Sequence, residues 1–251
     1  MDVTEITTKT ALVRSRIPGV DYVINPYLGC GHGCRYCYAV FMRKYSRQHA
    51  GTPWGEFVEA KTNIADVLRD ELRRRRRTGT ALLSSVCDPY QPAERRYKLT
   101  RRCLEALREF GWGIEILTRS PLVTRDIDLL SSSLGASVGL SIPTDDDRVR
   151  RIVEPNSPPI GSRIATLKKL REAGIETWAF IGPMLPMNAA ALHEMVSPHV
   201  SRVLIDALNY RAQVAVLFRR EGWDYALTDE YAEETGVELK RLFGARAESV
   251  R

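Results

Sequence analysis

From residue 22 onward the chain alternates short β-rich runs with amphipathic ones, and this alternation limits its fold more than any other feature. Strand-like runs stand at 22–29 (YVINPYLG), 80–86 (TALLSSV), 113–118 (GIEILT), 136–142 (ASVGLSI), 175–182 (IETWAFIG) and 201–208 (SRVLIDAL). Predicted helices separate them at 63–77, 99–111, 120–135, 160–174 and 189–196. In the first helix Ile64, Val67, Leu68 and Leu72 share one face. Pro121 suits a first helical turn, and Gly111 and Gly174 suit helix ends. Strands joined through helices run parallel, so the fold class is α/β with a parallel sheet. Six such units predict a partial (β/α)6 barrel of the TIM type in a single domain. The expected division is an N-terminal extension over 1–21, a barrel core over 22–228 and a C-terminal helix over 229–251.

Composition agrees with a water-soluble globular chain: 251 residues, 44% hydrophobic and 27% charged. No apolar run is long enough to span a bilayer, and MDVTEITTKTALVRS lacks the pattern of a secretory signal. A cytoplasmic location without a membrane partner is the expectation. The net charge of +6 is compatible with a polyanionic partner without requiring one. The arginine run in LRRRRRTG (72–79) closes a predicted helix, where cations complement the helix dipole. A solvated helix end is the simpler reading of it.

A parallel sheet of this kind places its chemistry beyond the C-terminal ends of the strands. The first strand runs there into GCGHGCRYCYA (29–39), which holds three of the five cysteines. An odd count with three thiols crowded on one loop is a poor disulfide framework and a good ligand set. Zinc held by the three cysteines and His32 or His49 is one possibility. An iron–sulfur cubane held at three corners, with the fourth iron open, is the other. Two loops, 41–60 and 143–159, exceed the length of a simple connection and are candidates for function.

The spacing Cys30, Cys34, Tyr36, Cys37 (C-x-x-x-C-x-aromatic-C) resembles the signature of the radical S-adenosylmethionine (SAM) superfamily. INPYLGCGHGCRYCYA, DPYQPAERRYKLTR, LTRSPLVTRDIDLL and VEPNSPPIGSRIATLKKLREAGI together resemble its spore photoproduct lyase-like branch, over about residues 9 to 210. The resemblance implies a [4Fe–4S] cluster on Cys30, Cys34 and Cys37, with SAM chelated at the open iron. It further implies reductive cleavage of SAM to a deoxyadenosyl radical, fed by a flavodoxin- or ferredoxin-type electron donor. Tyr36 is then expected against the adenine.

Strand-end placement plus that architecture nominates Ser85, Asp88, Thr118, Ser120 and Ser141 for cofactor binding, and Arg163 and Arg119 are candidates to meet the cofactor carboxylate or a substrate phosphate. Each has a structural alternative: Ser120, ahead of PLVTRD, is a good helix N-cap, and an arginine can serve an ion pair. Cys87 and Tyr90 are the catalytic candidates. The family's hydrogen-donating cysteine falls nearer Ser85 than Cys87, but positions two apart on a strand share a face. Tyr90 and Tyr97 are candidates to relay a radical or stack a base at the rim, and Trp54 to stack one, while Cys103 suits packing, His32 and His49 suit solvent or supporting positions, and His193 and His199 look incidental. The implied substrate is DNA, in a lyase- or repair-like reaction, or else a small molecule or peptide. A zinc-bound, non-catalytic nucleic-acid-binding protein is the rival of another class.

Overall fold

The computed structural model describes residues 1–133 and 135–250; Leu134, in the predicted 120–135 helix, and Arg251, in the predicted C-terminal helix, lie outside the described residues. The N-terminal part holds β1 (Asp2–Ile6), β2 (Val13–Arg14), β3 (Tyr22–Ile24) and β4 (Tyr27–Leu28). After the cysteine loop come β5 (Phe57–Lys61) and α1 (Ile64–Arg73), then β6 (Thr80–Leu83), α2 (Glu94–Tyr97), α3 (Leu99–Glu109) and β7 (Gly113–Thr118). The chain continues through α4 (Ile127–Leu130), β8 (Ala136–Ser141), α5 (Asp147–Val153), α6 (Ile160–Glu172) and β9 (Glu176–Ile181). It closes with α7 (Ala189–Val196), β10 (Arg202–Ile205), α8 (Ala215–Glu221), α9 (Asp229–Phe243) and β11 (Ala247–Ser249).

The main sheet has the order β11-β10-β9-β8-β7-β6-β3-β2. Its six central strands, β3 and β6 to β10, are the six predicted ones, and every neighbouring pair among them is parallel. Alternation along each strand separates two faces. On β7, Ile114 and Ile116 are fully buried in the same apolar cluster as Leu68 and Leu72 of α1 and Leu104 and Leu107 of α3. Glu115 points to the other face, where Arg202 of β10 reaches its carboxylate at 2.8 Å. The Arg202 guanidinium also lies 5.0 Å from the centre of the Trp178 ring. Gly139 makes room for that ring, because a Cβ there would fall 2.4 Å from it. This ion pair and indole cross the barrel interior between β7, β9 and β10.

Several boundaries depart from the sequence reading. The predicted strand 22–29 breaks at Asn25–Pro26, where proline offers no N–H to a ladder. Tyr27 and Leu28 then pair antiparallel with β5, which itself pairs in parallel with β1 in a separate three-stranded sheet. Residues 41–60 are therefore not all loop: a 3₁₀ helix covers Tyr38–Tyr45 and β5 begins at Phe57. The predicted helix over 120–135 is a 3₁₀ turn (Pro121–Asp126) followed by α4. Within 143–159, α5 starts where Asp146 accepts the Arg148 N–H at 2.6 Å. The C-terminal segment, expected as one helix, ends its helix at Phe243 and adds β11 to the β10 edge. Among the described residues no helix is long and apolar enough to cross a membrane.

Candidate active site

The loop between β4 and the 3₁₀ helix carries the three clustered cysteines across the strand ends. Gly29 opens it with φ +86°, and a Cβ there would meet the Phe57 carbonyl oxygen at 2.5 Å, so only glycine fits. Gln91 clamps the loop from one side, accepting the Gly31 N–H at 2.8 Å and donating to the Gly29 carbonyl at 3.1 Å. From the other side Asn156 donates to the Gly31 carbonyl at 3.1 Å, and the Arg35 N–H donates to the Val153 carbonyl at 2.9 Å. Two distant segments thus hold a loop that has little regular structure of its own.

One cavity lies under this loop. Cys30, Cys34 and Cys37 all line it, together with Tyr36, Ser85, Cys87, Asp88 and Arg119. All five cysteines are free thiols. Burial pushes the Cys34 thiol up to about 12, although the Arg119 charge opposes this, and burial raises Cys30 and Cys37 as well. Dry, uncharged thiols of this kind become good ligands when a cationic centre compensates their ionised form. Among the described residues no three His, Cys, Asp or Glu side chains converge closely enough to hold a single metal ion.

Two buried carboxylates organise the walls. Asp88 accepts the Thr118 hydroxyl at 2.6 Å and the Arg119 N–H at 2.8 Å, and faces His32 Nε2 at 3.3 Å. Burial disfavours its charge, but the His32 ring and these donors outweigh that and hold the carboxyl down at about 2. Glu154, wholly buried, takes Arg119 Nε at 2.9 Å, Arg163 Nη2 and the Tyr36 hydroxyl. Its carboxyl also sits at about 2, because the two arginines overcome the desolvation. Arg119 closes the set by donating from Nη2 to the Tyr36 hydroxyl at 3.0 Å.

Of the residues nominated from sequence, Cys30, Cys34, Cys37, Tyr36, Ser85, Cys87 and Asp88 meet at the cavity, as do Arg119 and Trp54. Cys87 Sγ lies 2.7 Å from Ser84 Oγ and 3.5 Å from the Tyr27 carbonyl. Thr118 stands behind Asp88 rather than on the wall. Ser120 serves as the N-cap of the 3₁₀ turn that follows it, accepting the Leu122 N–H. Ser141 is buried with no partner for its hydroxyl. Arg163 is fully buried, and its guanidinium is committed to the Ser141 and Pro158 carbonyls and to Glu154. Tyr90 turns away into a buried network, donating to Asp126 at 3.1 Å. Cys103 is core, His193 packs edge-on against Phe243, and His49 stacks on Phe57.

The sequence reading did not single out Glu154, nor the cavity wall from Asp206 to Tyr210 beyond β10, nor Phe180 and Tyr38. Tyr38 donates its hydroxyl to the Ser85 carbonyl and so ties the cysteine loop to the end of β6. The strand-end rule applied to DALNY, after the sixth strand, was the available signal for the 206–210 wall. Glu154 offered none, because its partner arginines are distant or on another element.

The Radical SAM superfamily model matches residues 24–197. An uncharacterized protein of Methanocaldococcus jannaschii is 38% identical over 186 residues, which cover 74% of this chain and 69% of that protein. The Radical SAM Nalpha-GlyT isomerase of Pseudomonas phage M6 is 27% identical over 221 residues, covering 87% of this chain and 44% of the isomerase. In mycobacterial relatives, 36% identical over 191 residues, the match covers 56% of their length. Among solved structures, a spore photoproduct lyase mutant with bound AdoMet and dinucleoside spore photoproduct superimposes with a TM-score of 0.66 at 15% identity, over 98% of this chain and 81% of that one.

Proposed function

Because the chain belongs to the radical SAM superfamily, whose members use a [4Fe–4S] cluster and SAM, we propose that Cys30, Cys34 and Cys37 ligate the cluster of an enzyme that modifies a nucleobase in DNA. The single observation behind the ligand assignment is that three free thiols from one loop line one cavity. The donor set suits a cluster: three soft sulfurs from one loop face one cavity and leave a fourth position to another group.

When bound, the cluster and SAM supply one-electron cleavage of the sulfonium and a radical able to abstract hydrogen from carbon. The chain's own residues position and exclude. Tyr36, fixed by Glu154 and Arg119, offers a rigid aromatic wall beside the cysteines. Asp88 is ionised, and its two oxygens are spent on the Thr118 hydroxyl, the Tyr90 and Arg119 N–H groups and His32, so it fixes the cavity wall against which the ribose would rest. Ser85 stands beside it. Ser141 Oγ, buried without a partner, is a reserve donor on the same sheet edge. Cys87, which lines the same cavity with its Sγ held by Ser84 and the Tyr27 carbonyl, is the candidate hydrogen-atom donor to a substrate radical, becoming a thiyl radical in the step. Reduction comes from a flavodoxin- or ferredoxin-type donor.

The DNA assignment is supported by the dinucleoside bound in the spore photoproduct lyase structure and by the net charge of +6. Small molecules and peptides are the competing substrate classes. The test is anaerobic reconstitution of wild type and Cys34→Ala, followed by reduction with SAM present. Wild type should release deoxyadenosine or methionine and the variant should lose this at least a hundredfold. Equal cleavage by both would overturn the ligand assignment.

A further inference from the structure

Two exposed aromatic side chains stand at the cavity, Tyr38 at 45% and Tyr210 at 50%, and the 3₁₀ helix that carries Tyr38 exposes two more, Phe41 at 46% and Tyr45 at 59%. Tyr38 and Tyr210 themselves line the cavity. Their rings are stacked at 24° with centroids 6.4 Å apart, and Phe41 lies 6.4 Å from Tyr38. Lys44 spans Phe41 and Tyr45, its Nζ 5.8 and 5.0 Å from the two ring centres. A monomer has no structural reason to leave such a patch in water, since burying these rings in its own core would be favourable.

The segment that carries Tyr38, Phe41 and Tyr45 is basic, while Asp88 and Asp206 line the cavity itself. Residues 22–55 contain no Asp or Glu, against Arg35, Arg43, Lys44 and Arg47. Met42, on the same 3₁₀ helix, lines a second groove with Arg14, Arg16 and Lys61, and that groove shares Ser85 and Val86 with the cysteine cavity. The helix 38–45 therefore carries exposed aromatic rings, with Tyr38 at the cavity, and borders a basic groove on another side. Every nucleobase has a face for stacking, and the phosphates between bases want cations beside it. A duplex keeps its base faces hidden in the stack, whereas an unpaired strand offers them.

We infer that this surface is a platform for single-stranded DNA: unpaired bases stack on Phe41, Tyr45 and the Tyr38–Tyr210 pair, and the backbone follows Lys44 and the Arg14–Arg16–Lys61 groove. This rests on the nucleic-acid reading above and narrows it to unpaired strands. The charge complementarity favours a polyanion over a peptide as occupant.

The experiment is fluorescence anisotropy with the cluster-loaded protein and a labelled oligothymidylate of about 12 nucleotides, against its duplex with oligoadenylate, at about 50 and about 200 mM salt. The single strand should bind at least tenfold tighter than the duplex. Phe41→Ala/Tyr45→Ala should weaken single-strand binding about tenfold or more and leave duplex binding and SAM cleavage unchanged. Lys44→Ala should lower the salt slope by about one. Duplex binding as tight as single-strand binding, a double variant that binds like wild type, or an unlabelled neutral peptide competing as well as the oligonucleotide would each overturn the inference. Loss of the strand preference with SAM cleavage intact sinks this inference alone. Strand binding without SAM cleavage sinks the proposed chemistry instead.

Discussion

Glu154 shows how one side chain governs this site. It is fully buried, it meets Arg119 and Arg163, and it receives the hydroxyl of the tyrosine inside the cysteine motif. Replacing it by glutamine leaves two guanidinium groups uncompensated, and breaking buried pairs of this kind costs about 3–5 kcal/mol. Glu154→Gln is therefore expected to lower the chemical denaturation midpoint by that equivalent and to weaken SAM binding through a loosened Tyr36, with cluster iron retained. Cys87 supports a prediction of the opposite sort. Cys87→Ala removes a thiol held by Ser84 but no ligand of the proposed cluster, so deoxyadenosine formation should persist while substrate product falls at least tenfold, read by chromatography of both products. That Cys30, Cys34, Cys37 and Tyr36 share one cavity was legible because their spacing is local. Arg163 and Tyr90 were not, because whether an arginine meets a cofactor or a buried glutamate depends on contacts that sequence spacing does not encode.

At the scale of elements, β7 and α7 have the bounds that their alternation and turn signals predict, Gly113–Thr118 and Ala189–Val196. α5 was missed because DRVRRIV is polar over most of its length. It is held instead by its ends: Asp147 accepts the Ile160 N–H at 3.0 Å and Arg150 Nη2 at 2.7 Å, joining α5 to the start of α6. The Arg150 hydrogen bonds above all hold the Asp147 carboxyl at about 2, below its ordinary 3.8. Since the folded value is the depressed one, this contribution is fully present above about pH 4 and is lost as the pH falls toward 2. The stability gap between wild type and Asp147→Asn should accordingly shrink over that window in urea melts. β1 and β5 escaped prediction for another reason: DVTEI and FVEAK are short, and they become strands by pairing across a long separation, Asp2 opposite Phe57.

The whole molecule is a parallel barrel segment whose two edges are treated differently. β2 covers one as an antiparallel strand; β11 extends the other, tied down by α9, whose Phe243 ring packs on His193 of α7 at 4.7 Å. Removing residues 245–250 uncovers the β10 edge, so the truncated chain should melt at a lower temperature and aggregate faster, followed by light scattering. The order of six strand–helix units was readable from periodicity, and with it the side of the sheet where the cysteine-lined cavity lies. The 206–210 wall had a signal in its place after the sixth strand, but its meeting with Tyr38 across the cavity did not, because the two segments are far apart in sequence and come together only in the fold.

The measurement that bears most directly on the central claim is electron paramagnetic resonance of the reduced, anaerobically reconstituted protein before and after SAM is added. A three-thiolate cluster with an open iron predicts a [4Fe–4S]⁺ signal that shifts on SAM addition and is absent from Cys30→Ala, Cys34→Ala and Cys37→Ala. A colourless preparation containing zinc and no iron, or a cluster signal indifferent to SAM, would contradict it.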